Sequence, residues 1–313
     1  MNNVCKTAFM LLVLCFTVPN PLLSQNTYTF TTYTYHQDDS ATLDLDLFLP
    51  DSQSAAAPLV LFVHGGGFSG GNRSHGHEFC QFLADKGIPA ATLTYTLYMK
   101  GKNFSCGGIL SEKVKAIQIA AYQTRLATQW FIDHASAFDI DTNKILISGS
   151  SAGAEAVLQA AYWNTKADNF FPDTLSPSFR YAGVIAGAGA LLDINMINQQ
   201  TKIPTLCYHG TCDPLVPYHI APHHYCSQIS TGYMMMFGGL AIYERLSDLN
   251  ETVQLMSYCN EGHEHAGTPF YGAEKQVVLE FILRSLNNES FNTHQVFNNG
   301  EECKMGLDFY FCY

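Results

Sequence analysis

Lys144-Ile145-Leu146-Ile147-Ser148-Gly149-Ser150-Ser151-Ala152-Gly153-Ala154-Glu155-Ala156 is the stretch on which the fold turns. The apolar triplet Ile145 to Ile147 marks a strand, and Ala152 to Trp163 reads as a helix. Between them lies G-x-S-x-G, from Gly149 to Gly153. The spacing has a steric reason. The chain must turn sharply for the Ser151 side chain to project above a sheet, and the two glycines remove Cβ atoms that would collide across the turn. The helix that follows points its amino end at the same spot, where it favours negative charge.

Upstream, Leu59-Val60-Leu61-Phe62-Val63 is a continuous apolar run, as in a strand covered on both faces, and it ends in His64-Gly65-Gly66-Gly67-Phe68. Further strands are expected over 27–35, 42–49, 90–95, 181–186, 205–208 and 253–258, the first two joined antiparallel. Helices are expected over 77–86, 111–134 (with Ser111 as N-cap), 237–249 and 274–286. Strands alternating with helices imply an α/β fold, a mostly parallel central sheet with helices on both faces and an antiparallel strand at its N-terminal edge. No linker or repeat divides it, so one domain is expected over 25–290, with 291–313 as a C-terminal tail. About 18 residues separate the strands near Ala186 and Thr205, too few for a large helical cap over a site.

A serine hydroxyl is a weak nucleophile and needs a base and an orienting acid. His209-Gly210-Thr211-Cys212-Asp213-Pro214 and Glu261-Gly262-His263-Glu264-His265 each follow a strand, so both lie at the carboxyl edge of the sheet. The expected catalytic set is Ser151 as nucleophile, Asp213 as acid and His263 as base, with His265 the alternative base and Asp193 a weaker acid. The amides of Gly66, Gly67 and Ala152 are the expected oxyanion donors, because glycine lets the backbone come close to an acyl oxygen.

With those strings in place, the chain resembles the α/β-hydrolase superfamily. It is similar to carboxylesterases of the HGGG type, including the hormone-sensitive-lipase-like and the feruloyl- or acetyl-xylan-esterase-like groups. The matching strings are HGGGFSGG (64–71), GSSAGA (149–154), HGTCDPLVPY (209–218) and EGHEHAG (261–267). Glu264 stands where the family commonly has glycine or an apolar residue after the histidine, which keeps His263 and His265 both open. The resemblance implies ester hydrolysis through an acyl-enzyme, on a small-molecule or polysaccharide-linked ester, with no metal or organic cofactor. A lipase or peptidase on the same triad, and a non-catalytic binding domain, are the competing readings. The first two lack a long apolar lid or a propeller-sized extra domain, and the third has no need of an intact Ser151, Asp213 and His263.

Composition narrows the classes. Of 313 residues 47% are hydrophobic and 14% charged, and the net charge is −11, without a Lys/Arg-rich run. That excludes wholesale disorder and argues against a nucleic-acid partner, which needs a basic face. The apolar run from Ala8 to Val18 is too short for a transmembrane segment. Preceded by Lys6 and followed by Pro19, Pro21 and Ser24, it reads as a signal peptide over 1–24, so a secreted or periplasmic location is expected.

Past that leader eight cysteines remain, compatible with up to four disulfides. Cys303–Cys312 is one expected pair, pinning the tail, and Cys207–Cys259 another, between neighbouring strands. Asn72, Asn103, Asn250 and Asn288 each open a glycosylation sequon. His75, His77, His209, His219, His223 and His224 match no zinc-ligand spacing, so no metal is expected. Tyr233 to Phe237 reads either as a pocket lining or as packing against the sheet.

Overall fold

The computed structural model describes residues 28–39, 41–163, 171–172, 174–300 and 302–313. The expected leader, 1–24, lies outside them. The strands are β1 (Tyr28–Gln37), β2 (Thr42–Pro50), β3 (Ala57–Val63), β4 (Ala90–Leu93), β5 (Ile140–Ser150), β6 (Gly183–Gly187), β7 (Thr205–Gly210), β8 (Ile220–Pro222), β9 (Met235–Phe237), β10 (Val253–Tyr258) and β11 (Asn292–Phe297). The helices are α1 (His77–Ala84), α2 (Leu110–Asp133), α3 (Ala152–Tyr162), α4 (Gly239–Asp248) and α5 (Lys275–Leu286).

Nine strands form one sheet in the order β1-β2-β4-β3-β5-β6-β7-β10-β11. From β4 to β11 all neighbours are parallel, whereas β2 runs antiparallel to both β1 and β4. The unbroken apolar run of β3 follows from its central place. Leu59, Leu61 and Val63 join a core with α2, α3 and α4, while Val60 and Phe62 join a second core with α1 and α5 on the other face. Parallel order also brings the carboxyl ends of β3, β5, β7 and β10 to one edge, where the candidate residues sit.

Several sequence expectations are corrected. Helix α2 is capped by Ile109, not Ser111, because the Leu110 amide is drawn to Thr231 O at 3.2 Å, which holds Ile109 extended (φ −101, ψ 123). Phe237 belongs to β9 rather than to α4, since it pairs with Ile220 of β8. In the 233–237 segment Met234 and Met236 pack into the core while Met235 is exposed, the alternation of a strand.

Residues 292–297, read from sequence as part of the C-terminal tail, form β11 along β10. That strand brings the chain end beside the loops after β7 and β10, where Cys212 pairs with Cys303 and Cys259 with Cys312. The expected Cys303–Cys312 pair is therefore not formed. Nor is Cys207–Cys259. Cys207 is in register with Leu255, four residues back from Cys259, about 13 Å at the strand rise and past the roughly 7 Å limit for a disulfide. Cys207 and Cys80 are free and buried. The third pair, Cys106–Cys226, ties the loop after β4 to the long connection after β7. Among the described residues no helix is long and apolar enough to cross a membrane.

Candidate active site

Ser151 sits between β5 and α3 at φ 53, ψ −125, a conformation that costs a non-glycine residue about 1–3 kcal/mol and persists only when its surroundings enforce it. They do. The Ser151 amide donates to Gly187 O at 2.7 Å and Ser151 O accepts from the Glu155 amide at 3.0 Å. A Cβ on Gly153 would lie 2.1 Å from Val63 O, and one on Gly149 2.4 Å from Gly153 O, so the turn is shut to any larger residue at either place.

Ser151 Oγ lies 2.7 Å from His263 Nε2, and His263 Nδ1 lies 2.7 Å from Asp213 Oδ2. The carboxylate requires the proton on Nδ1, so Nε2 is the bare nitrogen and accepts from the serine hydroxyl. Asp213 is fully buried, and its Oδ1 accepts from the amides of Leu215 at 2.8 Å and Val216 at 3.0 Å. Three backbone or hydroxyl bonds knit its loop to that of His263: Thr211 N to Tyr258 O, Cys212 N to Glu261 O, and Asn260 N to Thr211 Oγ1.

Electrostatics follow from these contacts. Burial would raise the Asp213 carboxyl, but the hydrogen bonds and charges of His209 and His263 outweigh it and hold it well below the usual carboxylate range. Burial would lower His263, but the Asp213 bond and charge, with Glu155 and Glu264 beyond, leave it above an ordinary imidazole.

His265 is turned elsewhere. Its Nε2 meets Glu261 Oε2 at 2.6 Å, its Nδ1 meets Thr268 Oγ1 at 3.0 Å, and its ring stacks on Tyr258. Asp193 accepts from Asn195 N and caps a 3-10 turn. The structure thus brings His263, not His265, to Ser151, and Asp213, not Asp193, to His263.

The glycine loop after β3 runs against the same turn. Gly66 has φ +118, and a Cβ there would sit 2.3 Å from Gly70 O, so only glycine fits. Among the described residues the amides of Gly66, Gly67 and Ala152 have no acceptor, and are therefore available to a ligand. His64 stacks on Tyr95, whose hydroxyl donates to His64 O at 2.9 Å, and burial lowers the imidazole to about 4, keeping it neutral.

Sequence reasoning missed a buried group behind this loop. Glu155, the one charged residue of α3, is 1% exposed and lies 3.3 Å from His223 Nε2, which is equally buried. Lys113 is buried beside them and donates to Gly232 O at 2.8 Å. The Phe104 ring packs on both Phe68 and His223. A lone acid in the otherwise uncharged run of α3 was the signal available. These contacts and Cys106–Cys226 hold the loops after β4 and β7 together.

The six histidines weighed as metal ligands do not converge on a three-donor group among the described residues. Glu261, Glu264 and His265 do approach one another, but His265 and Glu261 are mutually paired and Glu264 accepts from the Gly262 amide at 2.8 Å.

Residues 45–202, just over half of the chain, match the BD-FAE family. The chain belongs to the BD-FAE family. Within the curated proteins, this BD-FAE member is 31% identical over 147 residues to the isoprenylcysteine alpha-carbonyl methylesterase ICME of Arabidopsis thaliana, covering 46% of this chain and 31% of that protein. It is 23% identical over 160 residues to the chlorogenic acid esterase of Aspergillus niger, covering 47% and 30%. The matches thus span about a third of the length of these relatives. In three dimensions it resembles Thermogutta terrifontis esterase 2 phosphorylated by paraoxon, with a TM-score of 0.58, 18% identity and coverage of 84% of this chain and 96% of that one. The propionate-bound form of the same esterase aligns with a TM-score of 0.54 at 17% identity, covering 86% and 94%. The architecture is the α/β-hydrolase fold.

Proposed function

We propose that this chain is an exported serine esterase that hydrolyses short-chain or carbohydrate-linked carboxylic esters through an acyl-enzyme. The observation that carries the reading is the Ser151–His263–Asp213 hydrogen-bond chain at the carboxyl edge of the sheet, with 2.7 Å at each link. Ser151 Oγ attacks the ester carbonyl while His263 Nε2 takes its proton. Asp213 holds the ring tautomer and balances the imidazolium. The carbonyl oxygen, now negative, is received by the amides of Gly66, Gly67 and Ala152, each such donor contributing about 2.7–4 kcal/mol. His263 then gives the proton to the leaving alcohol, and water repeats the cycle on the acyl-serine. The curated relatives named above are esterases by description, which supports the same reaction class.

Export rests on the leader-like residues 1–24, and three disulfides suit an oxidising compartment. The substrate range is tested by side-by-side hydrolysis of p-nitrophenyl acetate, butyrate and laurate with acetylated and hydroxycinnamoylated saccharides. Acetate, butyrate or a saccharide ester should lead. Preference for laurate would overturn the assigned range, and no turnover of any ester would overturn the function.

The pH dependence has a defined sign. His263 must be neutral to accept the serine proton, and its pKa is raised, so the acid limb of kcat/KM should lie above the ordinary imidazole value of about 6.5. A profile flat down to pH 5 contradicts this. For stability, the raised His263 contributes below its unfolded pKa and loses that contribution as pH rises through the folded one. The depressed Asp213 contributes above its unfolded pKa of about 3.9 and loses that contribution as pH falls.

A further inference from the structure

His209 is the next-to-last residue of β7 and is wholly buried. Its Nδ1 accepts from the Gly239 amide at 3.4 Å, and an amide can only donate, so this nitrogen is bare and the proton is on Nε2. That Nε2–H points into a fork, 3.1 Å from Val216 O and 3.5 Å from Asp213 Oδ2. The Val216 amide closes the loop by donating to the other carboxylate oxygen at 3.0 Å. One imidazole therefore spans both ends of the turn that presents Asp213. Its own rotation is blocked, because the Tyr218 ring stands edge-on against it and is fixed in turn by Ser257 at 2.6 Å and by Phe309 of the chain's end.

Packing does not ask for a histidine here. By volume alone a leucine would fill the place beside Tyr218 and Gly239, but it would leave the buried Gly239 amide and Val216 O without the partner that His209 gives them. Beyond those two backbone partners the imidazole brings a proton 3.5 Å from the carboxylate, and a buried polar ring carries a desolvation cost unless both nitrogens are engaged, as they are.

Resting on the triad reading, we propose that His209 is a positioning residue that holds the Asp213 carboxylate in the plane His263 Nδ1 requires. The set is then four residues long: His209, Asp213, His263 and Ser151. Other titratable groups also face this chain. His224 and Tyr225 approach Asp213 from the turn after β8, Glu155 faces His263 from α3, and Glu264 does so from His263's own turn. They are unchanged by substitution at 209, so a shift in pH profile there reports on the His209 contact.

The test compares His209→Leu, which removes the donor at similar volume, with His209→Gln, which keeps an N–H near the Nε2 position. Melting temperatures are read first, and active-site concentrations by titration with a fluorophosphonate. The leucine variant should lose roughly 10- to 100-fold in kcat with KM within about twofold, the effect of losing a hydrogen bond to a charged group that acts on proton transfer. Its acid limb should move to higher pH, because a carboxylate relieved of one donor holds the His263 imidazolium more strongly. The glutamine variant should recover most of kcat and the original limb.

Wild-type kcat and acid limb in a folded leucine variant would overturn the proposal. So would a loss that glutamine does not rescue and that leaves the limb in place, since that marks a purely structural role. Asp213→Asn run alongside separates the two levels. If it is harmless, the triad reading itself fails; if it is crippling while His209→Leu is harmless, only the positioning role fails.

Discussion

Ser151→Ala is expected to lower kcat on p-nitrophenyl acetate by on the order of 10⁶-fold, with little change in KM, the scale on which serine nucleophiles act in triads of this kind. Ser151 is the hydroxyl at 2.7 Å from the bare nitrogen of His263, and the shut turn of Gly149 and Gly153 leaves the chain no freedom to bring another group to that point. Residual activity over water should persist from the amide donors and binding alone. The variant should melt close to the parent, since alanine keeps the Cβ and the same backbone strain and loses only the Oγ contact with His263. Turnover within tenfold of wild type would remove Ser151 from the chemistry.

The second large effect is expected from Asp213→Asn, about 10⁴-fold in kcat. Asp213 Oδ1 accepts from two amides, so an asparagine there must keep its carbonyl oxygen in that place. Its NH2 then faces both His263 Nδ1 and His209 Nε2. His263 can meet a donor only by giving up the proton on Nδ1, which moves it to Nε2, and that nitrogen can no longer accept from Ser151. The rate defect is one of tautomer, so it should persist when activity is referred to the folded fraction, whatever melting temperature is lost with the buried charge. Activity near wild type would show that the carboxylate does not orient the base.

How much of this was visible in the residues depends on how local the cause is. The turn at Ser151 and the loop at Gly66 are dictated within about five residues, by where a Cβ can fit, and both were legible. Strand β3 was legible for a similar reason, since burial on both faces leaves the continuous apolar run Leu59 to Val63.

Features set by partners far along the chain were not. β11 (NTHQVF) is largely exposed at the sheet edge and has little pattern of its own; its place is set by pairing with β10. Ser111 has the chemistry of a cap, but a bond between Leu110 and Thr231 moves the helix start. The disulfides depend on how near two strand ends come, which spacing does not reveal. His263 and His265 stand two residues apart in one 3-10 turn, and partners distant in sequence or in another turn separate them: Asp213 takes His263, while Glu261, Thr268 and Tyr258 hold His265. His209 was visible only as one of six scattered histidines, because its meaning lies in the bend that returns Val216 and Asp213 to it.

The central claim is that one hydroxyl on this chain, that of Ser151, is made nucleophilic by its neighbours. Its most direct test is intact-mass measurement after treatment with an organophosphate such as paraoxon, followed by peptide mapping. The expected result is one adduct per chain, on the peptide bearing Ser151, absent from Ser151→Ala and formed far more slowly in Asp213→Asn. No adduct on the native protein, or one that maps to another residue and survives Ser151→Ala, would contradict the account.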